Sequence, residues 1–210
     1  MGTGIFKPAD WLSKIYDCLD PVPPATAPLL ANRFDGVARY LENLSVGERD
    51  AHWAAGLPIL LMTTAPAAAA GTYSADLGNR LADGDDAHCV RLDVPPGGHL
   101  MLDNESVHDT AENDLAYLRA RSARIVARRG AGGLLYHGAD QPCSGVQIYV
   151  ELPDVHAYWR AGSLGISEPP CEWCMWQIGP LDQVVEGHRI DGSCTGRDAR
   201  GRAPLLWWPS

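Results

Sequence analysis

No stretch of this 210-residue chain is apolar for long enough to cross a bilayer; the densest run, residues 57–62, has the length of a β-strand. The opening residues, Met1-Gly2-Thr3-Gly4-Ile5-Phe6, carry neither a charged n-region nor an apolar h-region, so no signal peptide is expected and synthesis is expected in the cytoplasm. Positive charge is scarce: 17 Lys and Arg stand against 26 Asp and Glu, for a net charge of −9. That balance excludes a nucleic-acid binder, which needs a basic face for phosphates, and adsorption to an anionic membrane. Neither the P-loop pattern nor a G-x-G-x-x-G turn is present, so nucleotide binding has no support. Ser106 and Ser193 lack the G-x-S-x-G elbow of a serine hydrolase. The chain has six cysteines, and Cys171-Glu172-Trp173-Cys174 is a C-x-x-C without a second pair at ligand spacing. Reduced buried thiols, one or more disulfides and a metal site all stay open on composition, with no metal or cofactor expected.

What is present is alternation. Short apolar runs that read as strands (residues 13–19, 34–41, 57–62, 99–104, 133–136, 157–161, 175–178 and 188–191) are separated by helical or turn-rich stretches. Ser45-Val46-Gly47-Glu48 is a capping box, and the helix it opens ends at Gly56, directly before the third strand; that is a complete β-α-β unit. A helix is expected around residues 85–92. The longest one spans 110–129, with Leu115, Leu118, Ile125 and Val126 as its buried stripe and its arginines outside that stripe. Residues 66–71 read as an alanine-rich surface loop, and residues 140–155 have no clear assignment. There is no repeat and no composition break. The expectation is an α/β chain: a small single-domain (β/α)8-type barrel with incomplete or shortened helices over residues 13–195. An extension (1–12) precedes it and a tail (196–210) follows. The tail's Leu205-Leu206-Trp207-Trp208 is too apolar for a free end and packs on the barrel or on a partner.

In parallel α/β folds chemistry gathers at the carboxyl ends of strands. The best candidate there is Leu102-Asp103-Asn104-Glu105, because side chains two apart on a strand share a face and Asp103 and Glu105 therefore point together. Two crowded carboxyls cannot both ionise freely, and an acid beside an ionised carboxylate is what glycoside hydrolysis requires. Glu105, His108 and Asp109 have spacings that a metal could use, but at a helix start they read first as capping acids.

The order of motifs supplies the rest. Asp17 on strand one, D-x-E on strand four, Tyr136 on five, Trp159 on six, Trp176-Gln177 on seven and Asp191 on eight resembles the family-25 glycoside hydrolases, lysozymes that cut bacterial cell-wall glycan. Arg39-Tyr40-Leu41 and Ala55-Gly56-Leu57-Pro58 resemble more closely the glycoside hydrolase-like barrels of actinobacteria and their phages. The resemblance implies Glu105 as general acid, and Asp103 as the carboxylate that orients and stabilises the substrate's 2-acetamido group. Asp17 and Asp191 would line the same pocket, with Tyr40, Tyr136, Trp176 and Gln177 binding sugar. It implies a muramidase-like glycosidase of the phage-borne lysin type, whose partner is cell-wall glycan and which a phage particle or other machinery delivers to the wall. Ile178 after Trp176-Gln177, and Ser193 two residues after Asp191, depart from the lysozymes. The alternative is a non-enzymatic structural or adhesive module, such as a virion tail component, that contacts other subunits through its tail. A barrel hydrolase for another sugar polymer is the third reading.

Overall fold

The computed structural model describes the chain apart from residues 1–3, 66–71, 106–108, 131, 139–140 and 163–167, and the side chains of residues 180 and 181. The alanine-rich loop, Ser106 and His108 therefore lie outside the described residues. In chain order the elements are β1 (Ile5–Pro8), β2 (Lys14–Asp17), α1 (Ala27–Leu30), β3 (Gly36–Tyr40), α2 (Val46–Ala54), β4 (Ile59–Thr63), α3 (Ala75–Arg91) and β5 (His99–Asn104). There follow α4 (Ala111–Arg129), β6 (Gly132–His137), α5 (Gly145–Glu151), β7 (Val155–Arg160), β8 (Met175–Val185), β9 (His188–Thr195) and β10 (Leu205–Trp208).

Strands β2 to β9 close into a barrel in the circular order β4-β3-β2-β9-β8-β7-β6-β5, with β5 returning to β4 through Leu61↔Leu100 and Met62↔Met101. This is the expected small α/β barrel, trimmed in a definite way. Helices lie between successive strands as far as β7, and none of the described residues between β7 and β9 is helical. The last connection is a hairpin. Val185 pairs with His188, so Glu186-Gly187 is a two-residue loop, and both residues have positive φ (50° and 81°), the type I′ geometry that matches strand twist. A hairpin reverses the chain, so the eighth barrel strand runs antiparallel to both neighbours while the other seven are parallel.

Period-2 alternation divides the apolar residues into two layers. Ile15, Ala38, Leu60, Met62, Met101, Leu134, Ala157, Trp159 and Met175 fill the barrel interior. Tyr16, Val37, Leu61, Leu102, Leu135 and Tyr158 point outward into the layer beneath the helices, against residues such as Trp53, Leu115, Leu118 and Ile125. In α4 the stripe includes Leu115, Leu118 and Ile125, but Val126 is only partly covered. Arg121 is inside the stripe rather than outside it: it is fully buried and holds Asp85 of α3 with both ends of its guanidinium (Nε–Oδ2 3.0 Å, Nη2–Oδ1 3.1 Å). Helix α3 is far longer than residues 85–92; Ser74 caps it by accepting from Leu77 N–H. The unassigned stretch 140–155 contains α5, opened by a capping box between Ser144 and Gln147.

The two chain ends meet under the barrel. β1 pairs antiparallel with β10, which in turn touches β4 at Trp207↔Ile59. Ala9 and Leu206 enter the interior cluster from below. Trp207 is fully buried, edge-on to Trp53 at 4.7 Å, and Trp53 Nε1 donates to the Trp207 carbonyl at 3.1 Å. The six cysteines are unpaired with one another, and Cys171 Sγ accepts from Arg202 Nη2 at 3.3 Å.

Candidate active site

Seven strands deliver their carboxyl ends to one face of the barrel, and the antiparallel β9 crosses the same face midway along its length. Asp17 ends β2, and its register partner on β9 is Asp191, so the two acids face each other across one strand pair. Asp191 thus reaches the mouth from within a returning strand rather than from the end of a parallel one. A small cavity of about 70 Å³ is lined by Asp17, Tyr40, Met62, Met101, Glu105, Tyr136, Trp159, Gln177 and Asp191. A second cavity of about 270 Å³ shares Asp17 and Asp191 with it and continues past Asp20, Asp182 and Arg189. Asp17 and Asp191 therefore stand in the walls of both cavities.

Asp103 sits one step below this cavity. It is 4% exposed, whereas Glu105, two residues on, is open to solvent. Tyr40 Oη donates to Asp103 Oδ2 at 3.1 Å, while Asp103 Oδ1 has no partner. Burial, then the negative charge of Glu105, pushes the Asp103 carboxyl up to about 7 against the bond from Tyr40. Glu105 is itself raised, by burial of part of its carboxyl and by Asp191. Burial raises Asp17 most, followed by Asp191, Asp103 and Glu105; the charge of Arg39 works the other way. Gly138, at the end of β6, makes room for this cluster: a Cβ there would lie 3.3 Å from that of Glu105.

Opposite the acids, Gln177 is fixed in both position and orientation. Its Oε1 accepts from Tyr136 Oη (3.1 Å) and from the Gly162 N–H (2.7 Å), which leaves Nε2 to donate to Asp191 Oδ2 (3.3 Å). Asp191 Oδ1 accepts from the Asp182 N–H at 2.5 Å. Tyr136 also stands edge-on to Trp159 at 4.9 Å.

Of the residues singled out in the sequence, Asp17, Glu105, Asp191, Tyr40, Tyr136 and Gln177 line the central cavity, and Asp103 lies directly under it. Trp176 does not join them. Neighbours on a strand point to opposite faces, so with Gln177 turned inward Trp176 is on the outside, where its ring covers Gly196 (a Cβ there would meet it at 2.7 Å). Met62 and Met101 were missed as lining residues, although Met101-x-Asp103-x-Glu105 on one face was a readable signal. The metal reading of Glu105, His108 and Asp109 involves His108, outside the described residues. The Asp109 carboxylate is occupied with the start of α4, accepting from Thr110 N (2.7 Å), Asn113 Nδ2 (2.8 Å) and Tyr73 N (3.1 Å).

The class that this architecture defines is a small closed α/β barrel with acids gathered at its mouth. No family model matches the chain, and no curated protein does. Among solved structures it is similar to an uncharacterized Bacillus stearothermophilus protein (TM-score 0.66, 16% identity, 88% of this chain and 96% of the other). It is also similar to a bacterial lysozyme from Streptomyces coelicolor (TM-score 0.59, 15% identity, 91% of this chain and 95% of the other). A third is the catalytic domain of an endolysin from bacteriophage P40 of Listeria monocytogenes (TM-score 0.57, 14% identity, 90% of this chain and 95% of the other). At these identities the likeness is one of fold.

Proposed function

We propose that the chain is a glycoside hydrolase that cleaves bacterial cell-wall glycan at the cavity over Glu105 and Asp103, in the manner of a muramidase. The observation that carries this reading is the juxtaposition of Asp17, Asp103, Glu105 and Asp191 around one cavity, with Tyr40 and Tyr136 in its wall. Burial and the charge of Glu105 raise Asp103 to about 7, and burial and Asp191 raise Glu105, so the site holds a proton toward neutrality. Access decides which of them delivers it. Glu105 is the exposed member and lines the cavity, so it is the acid for the leaving oxygen; Asp103, buried and bonded to Tyr40, supplies the stabilising carboxylate and orients the sugar's 2-acetamido group. As positive charge develops on the sugar ring, Asp17 and Asp191 face it from the β2–β9 side.

The test is release of reducing sugar ends from purified peptidoglycan by the wild type and by Glu105→Gln. The variant is expected to lose at least about a hundredfold in rate, the usual contribution of a positioned acid, while melting at or slightly above the wild-type temperature. Equal activity in both would remove Glu105 from the acid role. Glycan binding without cleavage by either would favour the non-enzymatic module.

A further inference from the structure

A cavity of about 470 Å³ opens at the other pole of the barrel, below the amino ends of the parallel strands. Its walls come from just before β2 (Trp11, Leu12), just before β3 (Phe34), just before β4 (Leu57) and from β10 (Leu206, Trp208). That volume is within the range of small-molecule sites, roughly 300–1,000 Å³. It has no described residue in common with the central cavity at the mouth.

The walls hold groups that the fold itself does not use. Trp11 is 61% exposed and Leu12 54%, although both belong to a turn that is firmly held. Leu12 N–H donates to the Thr195 carbonyl (2.9 Å), while Thr195 Oγ1 (2.6 Å) and Ser13 Oγ (3.2 Å) donate to the Asp10 carbonyl. Leu12 has φ 59°, in the left-handed region that leucine rarely adopts. Packing does not account for a pinned, strained turn that keeps an indole in water. Trp208 adds a second indole, whose Nε1 is covered and has no partner. Lys7 Nζ stands over its ring, 5.5 Å from the centre, so what Trp208 has left to offer is the N–H. A covered indole N–H ordinarily donates, and leaving it idle costs the folded state a hydrogen bond. Asp10 and Asp35 stand exposed in the same walls, Asp35 accepting from the Lys14 N–H at 2.8 Å, and no Lys or Arg is among the described lining residues.

These groups select their ligand by chemistry. The open indole face takes a flat array of C–H groups, the idle N–H takes an acceptor, and the carboxylates take donors. The carboxylates also repel anions, and a second copy of a chain with net charge −9 is disfavoured for the same reason. A pyranose ring with its hydroxyls is neutral and meets all three demands. We propose that this cavity is a second glycan-binding site, which takes a short stretch of uncharged sugar with one ring stacked on Trp11. A hydroxyl oxygen accepts from Trp208 Nε1, and hydroxyl protons go to Asp10 and Asp35. The site stands independently of the hydrolase reading, which suggests only the probe. At the far pole it holds a different segment of glycan from the one at the mouth, and so ties the chain to a polymer without occupying the acids.

The experiment follows the indole N–H signals of the full chain by proton–nitrogen NMR as the N-acetylglucosamine tetramer is added. It uses the wild type and Glu105→Gln, which suppresses cleavage, and then Trp11→Ala and Trp208→Phe, with a thermal melt of each. The Trp11 and Trp208 signals should move and saturate in the first two proteins. Trp11→Ala removes an exposed ring, so it should weaken this binding about tenfold or more at an unchanged melting temperature. Trp208→Phe keeps a ring and removes an N–H that the free protein leaves unpaired. It should melt at or above the wild-type temperature yet bind at least about threefold more weakly, whereas a merely structural Trp208 would show the reverse. Three results would overturn the proposal. One is no movement of the two signals up to about 10 mM sugar, which fills even a millimolar site. The second is the same movement on raising protein concentration without sugar, the mark of a second copy. The third is a larger movement with trilysine, the mark of a cationic peptide. Movement of Trp159, in the wall of the central cavity, with Trp11 and Trp208 still, would refute the second site and leave the hydrolase reading standing. Saturable movement of Trp11 and Trp208 in a protein that leaves peptidoglycan intact would do the opposite.

Discussion

Asp103 shows at the scale of one residue how a site stores instability. Its carboxyl rises from an ordinary 3.8 to about 7 because burial and the charge of Glu105 both disfavour the ionised form. The folded state therefore holds this proton more tightly than the unfolded chain does. Between pH 4 and 7 the native state binds more protons than the unfolded state, so stability falls as pH rises through that window. Asp103→Asn keeps an acceptor for Tyr40 Oη and removes the penalty. It should be more stable than the wild type at pH 8, by up to a few kcal/mol, and nearly equal to it at pH 4. Denaturant melts of both proteins at the two pH values check this. A difference that is the same at both would mean that packing, and not ionisation, governs the effect.

At the scale of elements, strand alternation explains both what the sequence disclosed and what it hid. The D-x-E pair was legible because a single strand fixes the relative facing of Asp103 and Glu105, whatever the rest of the fold does. Trp176-Gln177 was not, since adjacent residues must part and nothing local tells which one turns inward. The choice is made by the barrel, where Gln177 finds Tyr136, Gly162 and Asp191. Helix α2 was legible from Ser45, Glu48 and Gly56, whereas α5 was obscured although Ser144 and Gln147 carry a capping box; the seven-residue helix is too short for a periodic stripe. The reversal of β9 hung on Glu186-Gly187, a turn signal between two runs that were read as separate parallel strands. A prediction belongs to this scale. Gln177→Ala should weaken glycan binding and cleavage at least tenfold, because it frees Tyr136 and Asp191 at once. Trp176→Phe should leave binding within about twofold, as it changes only the outer face; the two effects correspond to about 1.4 kcal/mol or more and to less than that, respectively. Affinity measured on soluble cell-wall fragments separates the two. Weaker binding by the Trp176 variant alone would reverse the facing assigned here.

Across the whole molecule, a chain of 210 residues makes a closed eight-stranded barrel with no helix among the described residues after β7, and closes the floor with its own ends. The β1–β10 ribbon is the part of this arrangement with the least sequence-local support. Its two strands are four residues each and lie about 200 positions apart in the chain, so their pairing carries a large loop-closure entropy unless the intervening barrel is already formed. The anchor is Trp207, with no exposed surface, packed on Trp53 and bonded through its carbonyl to the Trp53 indole. Replacing so large a buried ring leaves a cavity that two short strands cannot collapse to fill. Trp207→Ala should therefore cost about 3–5 kcal/mol, which for a chain of this size lowers the melting temperature by roughly 6–20 °C. Because β1 pairs with β10 alone in the sheet order, amides of residues 5–8 should lose their hydrogen-exchange protection together with those of 205–208. The carboxyl face is at the other end of the strands, so the titration of Asp17 and Asp103 should not change in the variant below its melting point. A melting temperature within a degree or two of wild type, or protection of residues 5–8 that survives the substitution, would show that the floor is held by something other than the Trp207 anchor.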